Sequence, residues 1–310
     1  MVFFSVKASL VSLYEKIYAS DFIMNSVYHR NNKDYQLNIM TSEYTIKYIL
    51  KSNCSITRFG EGEFELILEP DLDLGFQTHD AKLAERLKGV LGSQNPYLLI
   101  CIPYALNDIG GRTEHSRKFW FHWGKNRDQH HRIVSLIRQL HPSGYCFGDT
   151  QITRPYIAYK TPEHGAQIFP KLKQLWDGKD ILFVEGEKTR LGVGNDLFSN
   201  AKSVKRVICP ATNAFDRYDE ILKAVTEVWN GELILLALGP TATVLAADLA
   251  GRGMRAMDLG HVDIEYEWFL SGAKDHDKVA GKFTNEAATG HQVSECDDPE
   301  YIKSIVRRVI

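Results

Sequence analysis

The stretch Asp180-Ile-Leu-Phe-Val184 is the first of four short apolar runs in the second half of the chain. Residues 206–209 read Arg-Val-Ile-Cys, residues 233–238 read Leu-Ile-Leu-Leu-Ala-Leu, and a fourth run covers 254–258. Each run ends at small or polar residues, with Gly or Pro following two of them. Short runs bounded in this way are typical of strands buried in a sheet.

Helical patterns separate these runs. Apolar residues recur at helical spacing over 216–229, and 241–250 is rich in Ala and Leu and stops at a glycine. Strands that alternate with helices predict an α/β domain, Rossmann-like, with a mostly parallel sheet flanked by helices. In the first half, 56–59 and 98–102 predict further strands, whereas 111–131, dense in His, Trp and Arg, suggests an insertion or long loop.

The N-terminal residues predict a helix that precedes the main domain. Apolar side chains recur at roughly helical spacing over 3–17, which favours a packing or homodimer helix, with docking to a membrane surface or a partner as the alternative. We therefore divide the chain into a helical extension, 1–40, and a single domain, 41–310. No run approaches the roughly 18 apolar residues of a membrane span, and no signal peptide is recognisable. We expect no transmembrane segment and a cytoplasmic location, with peripheral contact at the inner membrane face as a variant.

Charge and cysteine content exclude several classes of protein. The formal net charge of −2 gives no general attraction to nucleic acid, so a phosphate-bearing ligand needs a local site. The five cysteines are odd in number and form no CxxC pair, which argues against a zinc ribbon or a disulfide framework and fits a reducing compartment.

Carboxylates and glycines concentrate directly after the strand-like runs. Ligands of open α/β sheets bind beyond the carboxyl ends of the strands, so these residues form the candidate site. Packing alone does not readily explain such a concentration. The segments are 60–63, 185–196, 210–213, 239–241 and 260–267.

Glu61 and Glu63 flank a glycine after the first strand. On an extended strand end, carboxylates one residue apart point the same way, and a hard cation such as Mg²⁺ or Mn²⁺ relieves their repulsion. The alternative to a metal site is that both are ordinary surface glutamates without a ligand. Arg58, just upstream, would either form a structural salt bridge or contact a phosphate.

Gly239 and Thr241 lie where a buried run ends and a helix begins. The free N–H groups and the dipole of a helix start favour a phosphate. Capping of the helix by the Thr241 hydroxyl would explain the same residues without a ligand.

His261, Asp263, Glu265 and Glu267 are spaced by two. In an extended segment they share one face. That face is either a solvated strand surface or a metal site combined with a general base, which would take a proton from an acceptor hydroxyl.

Familiar nucleotide and hydrolase motifs are missing from the sequence. There is no GxGxxG, no GxxxxGK[ST], no HExxH and no GxSxG, which argues against a dinucleotide enzyme, a P-loop NTPase, a zinc protease and an α/β-hydrolase. The histidines and tryptophans of 111–131 match no metal motif, and they suggest an acceptor or interface surface or plain loop residues.

Six blocks in order resemble the GT-D-type glycosyltransferases, a family first catalogued as a domain of unknown function and found in bacterial surface-protein and polysaccharide glycosylation. The resemblance extends from about residue 55 to residue 286. The blocks are Arg58-Phe-Gly-Glu-Gly-Glu-Phe, Arg154-Pro-Tyr156, and residues 184–198, 209–215, 238–245 and 260–268.

The resemblance implies a Rossmann-like fold distinct from other glycosyltransferase folds, a UDP-sugar donor, often UDP-glucose, and a glycan or glycosylated protein as acceptor. It implies a DxE-type motif that binds Mn²⁺ or Mg²⁺. In this chain Glu61 replaces the Asp of that motif, and because its side chain is longer, we expect Glu63 to take over the role of direct metal ligand. Asp263 would assist the metal, and Glu267, beside Glu265, would supply the base. The donor contacts would come from Arg58, Glu185, Arg190, Asn195, Asp196, Asn213, Gly239, Thr241 and His261.

Two other functions remain open at this point. A metal-dependent phosphohydrolase would use the same carboxylates without a sugar acceptor. A non-catalytic nucleotide-sugar-binding subunit would support a partner enzyme through the N-terminal helix.

Overall fold

A computed structural model describes residues 21–69, 74–125, 128–287, 289–290 and 292–310. Eight parallel strands in this part of the chain form one sheet, in the order β3-β2-β1-β7-β6-β4-β5-β8. The strands are β1 (Ser55–Arg58), β2 (Leu98–Ile102), β3 (Gly148–Asp149), β4 (Asp180–Gly186), β5 (Ser203–Cys209), β6 (Leu233–Ala237), β7 (Ala256–Asp258) and β8 (Ile305–Arg308).

Helices cover both faces of this sheet. In chain order they are α1 (Asp21–Asn32), α2 (Ser42–Ser52), α3 (Glu61–Leu68), α4 (Ala81–Leu91), α5 (Glu114–Lys125), α6 (Gln129–Leu140), α7 (Glu163–Trp176), α8 (Tyr218–Val228), α9 (Pro240–Gly251), α10 (Val262–Ser271) and α11 (Pro299–Ser304).

The two faces of the sheet bury two separate apolar cores. Along β4, Leu182 and Val184 belong to one core, while Ile181 and Phe183 belong to the other. Because successive side chains of a strand point to opposite faces, only a sheet covered on both sides needs an unbroken apolar run. The predicted Rossmann-like α/β class is confirmed.

The prediction of an insertion or long loop over 111–131 is wrong. This segment contains α5 and the start of α6. Trp120, Phe121 and Trp123 are buried in the core, so the aromatic residues form the inner side of an amphipathic helix. The many His and Arg residues of this segment obscure the helical spacing of its apolar residues.

The helix predicted over 3–17 lies outside the described residues. Within the proposed extension, α1 packs Met24 and Tyr28 into the core, and the Tyr28 hydroxyl donates a hydrogen bond to the Ala105 carbonyl at 2.9 Å. No helix in the described ranges is long and apolar enough to span a membrane.

Candidate functional site

A cavity of about 400 Å³ opens at the carboxyl ends of the strands. It lies where open parallel sheets place their ligands. Residues following β1, β3, β4, β5, β6 and β7 all contribute to its wall, which we call the strand-end cavity. Of the predicted site residues, it is lined by Arg58, Glu61, Glu63, Asn213, Gly239, His261 and Asp263.

The expected extended arrangement of Glu61 and Glu63 is wrong, because α3 begins at Glu61. Gly60 is the N-cap, and its N–H donates to the Glu63 carboxylate at 2.7 Å, as in a capping box. Residues two apart on a helix lie about 200° around its axis, so the two carboxylates diverge. Burial raises the pKa of Glu63 to about 7.

Arg58 forms a salt bridge on the cavity wall. Its guanidinium donates to the Thr153 hydroxyl at 2.7 Å and lies 3.3 Å from a carboxylate oxygen of Asp258. Gly260 has a φ of +47°, and a Cβ there would lie 1.8 Å from Nη2 of Arg58. A glycine is therefore required both for the backbone turn and for the arginine beside it.

The start of α9 faces the cavity through Gly239, whose φ of 54° and ψ of −144° suit only glycine. Pro240 opens the helix, and Gly239 itself offers no side-chain cap. The Thr241 hydroxyl is buried and finds no hydrogen-bond partner among the described residues, so it does not cap the helix. A helix start without a cap retains N–H groups for an anion.

The expectation that His261, Asp263, Glu265 and Glu267 share an extended face is also wrong. Residues Val262–Ser271 form α10, in which His261 is the N-cap residue. On a helix, Asp263 and Glu267 are one turn apart, whereas Glu265 points elsewhere.

A buried lysine joins Asp263 to Glu267. Nζ of Lys282 lies 2.6 Å from Asp263 and 2.8 Å from Glu267. The side-chain amide of Asn195 donates to the same two carboxylates, at 2.8 and 2.7 Å. Asp263 also accepts the Gly192 N–H at 2.9 Å. Asp263 lines the cavity, whereas Glu267 does not.

Glu265 is fully buried and supports Arg154. Its carboxylate accepts the N–H groups of Tyr156 and Ile157 at 3.0 and 3.1 Å and lies 3.4 Å from Nε of Arg154. Burial raises the pKa of Glu265, although the charge of Arg154 and the two N–H groups act to lower it. Glu265 therefore acts through its neighbours rather than at the cavity surface.

Arg154, His261 and Glu286 form a charged cluster on the cavity wall. Glu286 lies 2.9 Å from Arg154 and 3.4 Å from Nε2 of His261. Burial alone would raise the pKa of Glu286, but the charges of His261 and Arg154 lower it to about 2. The charge of Glu286 acts to raise the pKa of His261, but burial and the two nearby arginines, Arg154 and Arg58, lower it.

Two more predicted residues hold loops around the cavity. Glu185 is fully buried, pairs with Arg206 and accepts the Leu191 N–H at 2.7 Å. Arg190 donates to the carbonyls of Gly281 and Ser294, at 2.8 and 2.6 Å, and so ties down the C-terminal segment.

Asp196 is exposed and accepts from Lys173 and the Tyr266 hydroxyl, both at 2.7 Å. Asn213, by contrast, lines the cavity, and its side-chain oxygen accepts the Thr78 N–H at 2.9 Å.

A family model for the glycosyltransferase GT-D fold matches residues 56–287. The chain belongs to this family. Among solved structures, a glycosyltransferase from Streptococcus sanguinis is 34% identical, with a TM-score of 0.79 and coverage of 89% of this chain and 100% of that one. Another, described as the highly conserved domain of unknown function 1792 with a distinct glycosyltransferase fold, is 35% identical, with a TM-score of 0.79 over 93% of this chain and 99% of that one.

Curated streptococcal proteins are also similar to this GT-D chain. The probable glycosyl transferase Gly of Streptococcus gordonii is 38% identical over 87% of this chain and 39% of its own length. The glycosyltransferase GlyD of Streptococcus pneumoniae serotype 4 is 35% identical over 86% of this chain and 32% of its own length. The GT-D chain thus spans about a third to two fifths of these relatives.

The GT-D site includes residues that the sequence pattern did not select. Arg154 stands in the Arg-Pro-Tyr block and could have been found there, because that block follows the short strand β3. Lys282 and Glu286 lie in a segment without regular period, and no sequence signal places them opposite α10.

Proposed function

We propose that this chain is a glycosyltransferase that moves a sugar, with glucose as the first candidate, from a UDP-sugar to a glycan or glycosylated protein, assisted by Mn²⁺ or Mg²⁺. One observation carries the proposal: Glu61 and Glu63 at the start of α3 and Gly239 at the start of α9 line the same cavity. A cation and a diphosphate can therefore be held side by side there.

The start of α9 supports binding of the diphosphate. The glycine at its N-cap permits close approach of phosphate oxygens to the backbone, and the helix dipole favours their charge. The walls after β5, which include Thr212 and Asn213, would then enclose the nucleoside.

The donor set fits a magnesium-like ion only if the substrate completes it. Within the described ranges, no group of three or more His, Cys, Asp or Glu side chains is arranged to hold a metal. Mg²⁺ is commonly held by one or two carboxylates together with substrate phosphates and water. Glu61 and Glu63 both line the cavity, but because they diverge, one of them would bind the ion directly and the other through water. Asp263 is engaged by Lys282 and Asn195. The ion would stabilise negative charge on the departing diphosphate.

The group that removes the acceptor proton has to reach the cavity. Glu267 contacts Lys282 and Asn195 and does not line the cavity, so it can reach an acceptor only if this network opens. Glu286 lines the cavity directly. Because the pKa of Glu286 is held at about 2 by the charges of His261 and Arg154, it is a weak base. We therefore propose that Glu267 accepts the proton while the hydroxyl oxygen attacks the sugar and the bond to the diphosphate breaks, and that Glu286 orients Arg154 and His261 on the wall.

Titration calorimetry with UDP, with and without Mn²⁺, tests the proposal directly. We expect metal-dependent UDP binding by the wild type and loss of the metal effect in Glu63→Ala. Glu85→Ala, an exposed glutamate on α4, is the matched control and should bind as the wild type does. Absence of UDP binding in the presence of Mn²⁺ would refute the proposal.

Turnover separates the alternatives. Release of UDP from UDP-glucose, with sugar transferred to an acceptor or to water, supports the transferase and rules out a non-catalytic subunit. Release of inorganic phosphate from simple phosphoesters, without UDP-glucose turnover, would instead show a phosphohydrolase.

A further inference from the structure

The strand-end cavity extends beyond the part assigned to the donor. The donor and metal groups follow β5, β4, β6, β7 and β1, a width of four strand spacings, or about 19 Å at roughly 4.8 Å each. The sheet continues through β2 to β3. At that end the wall consists of Glu65, Pro103, Trp120, Thr150 and Gln151.

Trp120 gives this end an apolar wall of fixed orientation. Its ring packs edge-on against Trp123, with centroids 5.6 Å apart and planes at 72°. The indole N–H of Trp123 in turn donates to the Glu65 carboxylate at 2.9 Å. Trp120 is 5% exposed, so its neighbours hold it in place and leave only a limited surface toward the cavity.

Thr150 adds an unused polar group to the same wall. The residue is 6% exposed, and its hydroxyl has no hydrogen-bond partner among the described residues. Leaving a buried hydroxyl unpaired is unfavourable, so a ligand that completes it would gain affinity.

Gln151 is oriented by a buried arginine. Arg112, stacked over the Tyr159 ring at 5.2 Å, donates to the side-chain oxygen of Gln151. The amide nitrogen of Gln151 is therefore the group that this side chain can offer the cavity as a donor.

We propose that this end of the cavity is the acceptor subsite and that it binds a neutral pyranose ring, with the exposed part of Trp120 contacting C–H groups of the ring and with Thr150, Gln151 and Glu65 forming hydrogen bonds to its hydroxyls. The combination of a small apolar contact with a hydroxyl, an amide and a carboxylate matches a sugar, which carries C–H groups and hydroxyls close together. The inference rests on the proposed function and adds to it the place and chemistry of acceptor recognition.

Binding of methyl hexopyranosides to the UDP- and Mg²⁺-loaded protein tests the subsite. The glucoside, galactoside and N-acetylglucosaminide would be titrated by saturation-transfer NMR, and UDP affinity measured separately by calorimetry. Thr150→Val removes the unpartnered hydroxyl with little change of shape, so its melting temperature should equal or exceed that of the wild type. Thr226→Val on α8 is the control, because Thr226 does not line the cavity and its hydroxyl already donates to the Leu222 carbonyl.

The subsite predicts that at least one hexoside binds the wild type, that Thr150→Val weakens it about three- to tenfold, and that UDP affinity stays within about twofold. Trp120→Leu should weaken hexoside binding further. Its UDP affinity serves as the control, because unchanged UDP binding shows that the donor half of the cavity is still folded. Unchanged hexoside binding in Thr150→Val, or a wild type that binds UDP but no hexoside, would overturn the inference. A wild type that does not bind UDP would instead refute the proposed function.

Discussion

Replacement of Lys282 by Met should destabilise the protein strongly. The ammonium group is 3% exposed and pairs with Asp263 and Glu267, of which Asp263 is 2% exposed. Met has similar length but no charge, so the substitution leaves two carboxylates facing each other without a cation. Asn195 still donates to both, but an amide does not neutralise them.

The expected loss follows from the burial of the pair. Breaking a buried ion pair by removing one partner typically costs about 3–5 kcal/mol. For a domain of this size, about 2 °C of melting temperature corresponds to 1 kcal/mol, so the shift should be about 6–10 °C. Lys282 also precedes Phe283 and Glu286, which line the cavity. Under the proposed function, turnover of the UDP-sugar should therefore fall even below the melting temperature.

Differential scanning calorimetry of three variants checks this reasoning. Lys274→Met, at an exposed position in the same segment, should melt with the wild type. Adding Asp263→Asn to Lys282→Met removes one of the two uncompensated charges and should recover part of the loss. If Lys282→Met melts within about 1 °C of the wild type, the buried pair is not the interaction that holds this segment.

Three further changes probe the cavity wall and the loops that surround it. Because burial raises the pKa of Glu63 from 4.5 to about 7, its contribution to stability is complete below pH 4.5 and is lost as the pH rises through 7. Glu63→Gln should therefore melt above the metal-free wild type at pH 8 and match it at pH 4 in thermal scans. Gly260→Ala would collide with the Arg58 guanidinium, and calorimetry should show both a lower melting temperature and weaker UDP binding. Arg206→Met would leave Glu185 buried without its cation, and urea unfolding should show a loss of about 3–5 kcal/mol.

The sheet could be predicted from the sequence because its strands are covered on both faces. The runs at 180–184 and 233–238 are apolar at every position or nearly so, and β4 and β6 include them. Such runs have no other stable location in a protein of this composition. The position of the cavity followed from the same fact, since ligands bind beyond the carboxyl ends of parallel strands.

The conformation of α10 could not be predicted because the helix is buried on most sides. Val262, Ile264, Tyr266 and Trp268 are buried, and so are Asp263 and Glu265 between them. A surface helix shows its period through alternating apolar and polar faces, but a buried helix with charged residues on its inner side does not. The spacing of two between the acids then imitates a strand.

Most of the acidic residues at the strand ends form ion pairs with cations that the sequence pattern does not identify. Glu185 pairs with Arg206, Glu265 pairs with Arg154, and Asp263 and Glu267 share Lys282. The last of these cations comes from the irregular segment that follows α10, and no periodic pattern reveals which acid it will meet.

These ion pairs fix the loops that surround the cavity, because an unpaired buried carboxylate is costly and each pair therefore specifies one arrangement of its loop. Glu61 and Glu63 differ from the other acids. They begin a helix directly on the cavity wall, and burial holds the pKa of Glu63 near neutrality. A divalent cation beside Glu63 would favour its ionised form, so metal binding should release a proton near pH 7, and calorimetry in buffers of different ionisation enthalpy would detect that release.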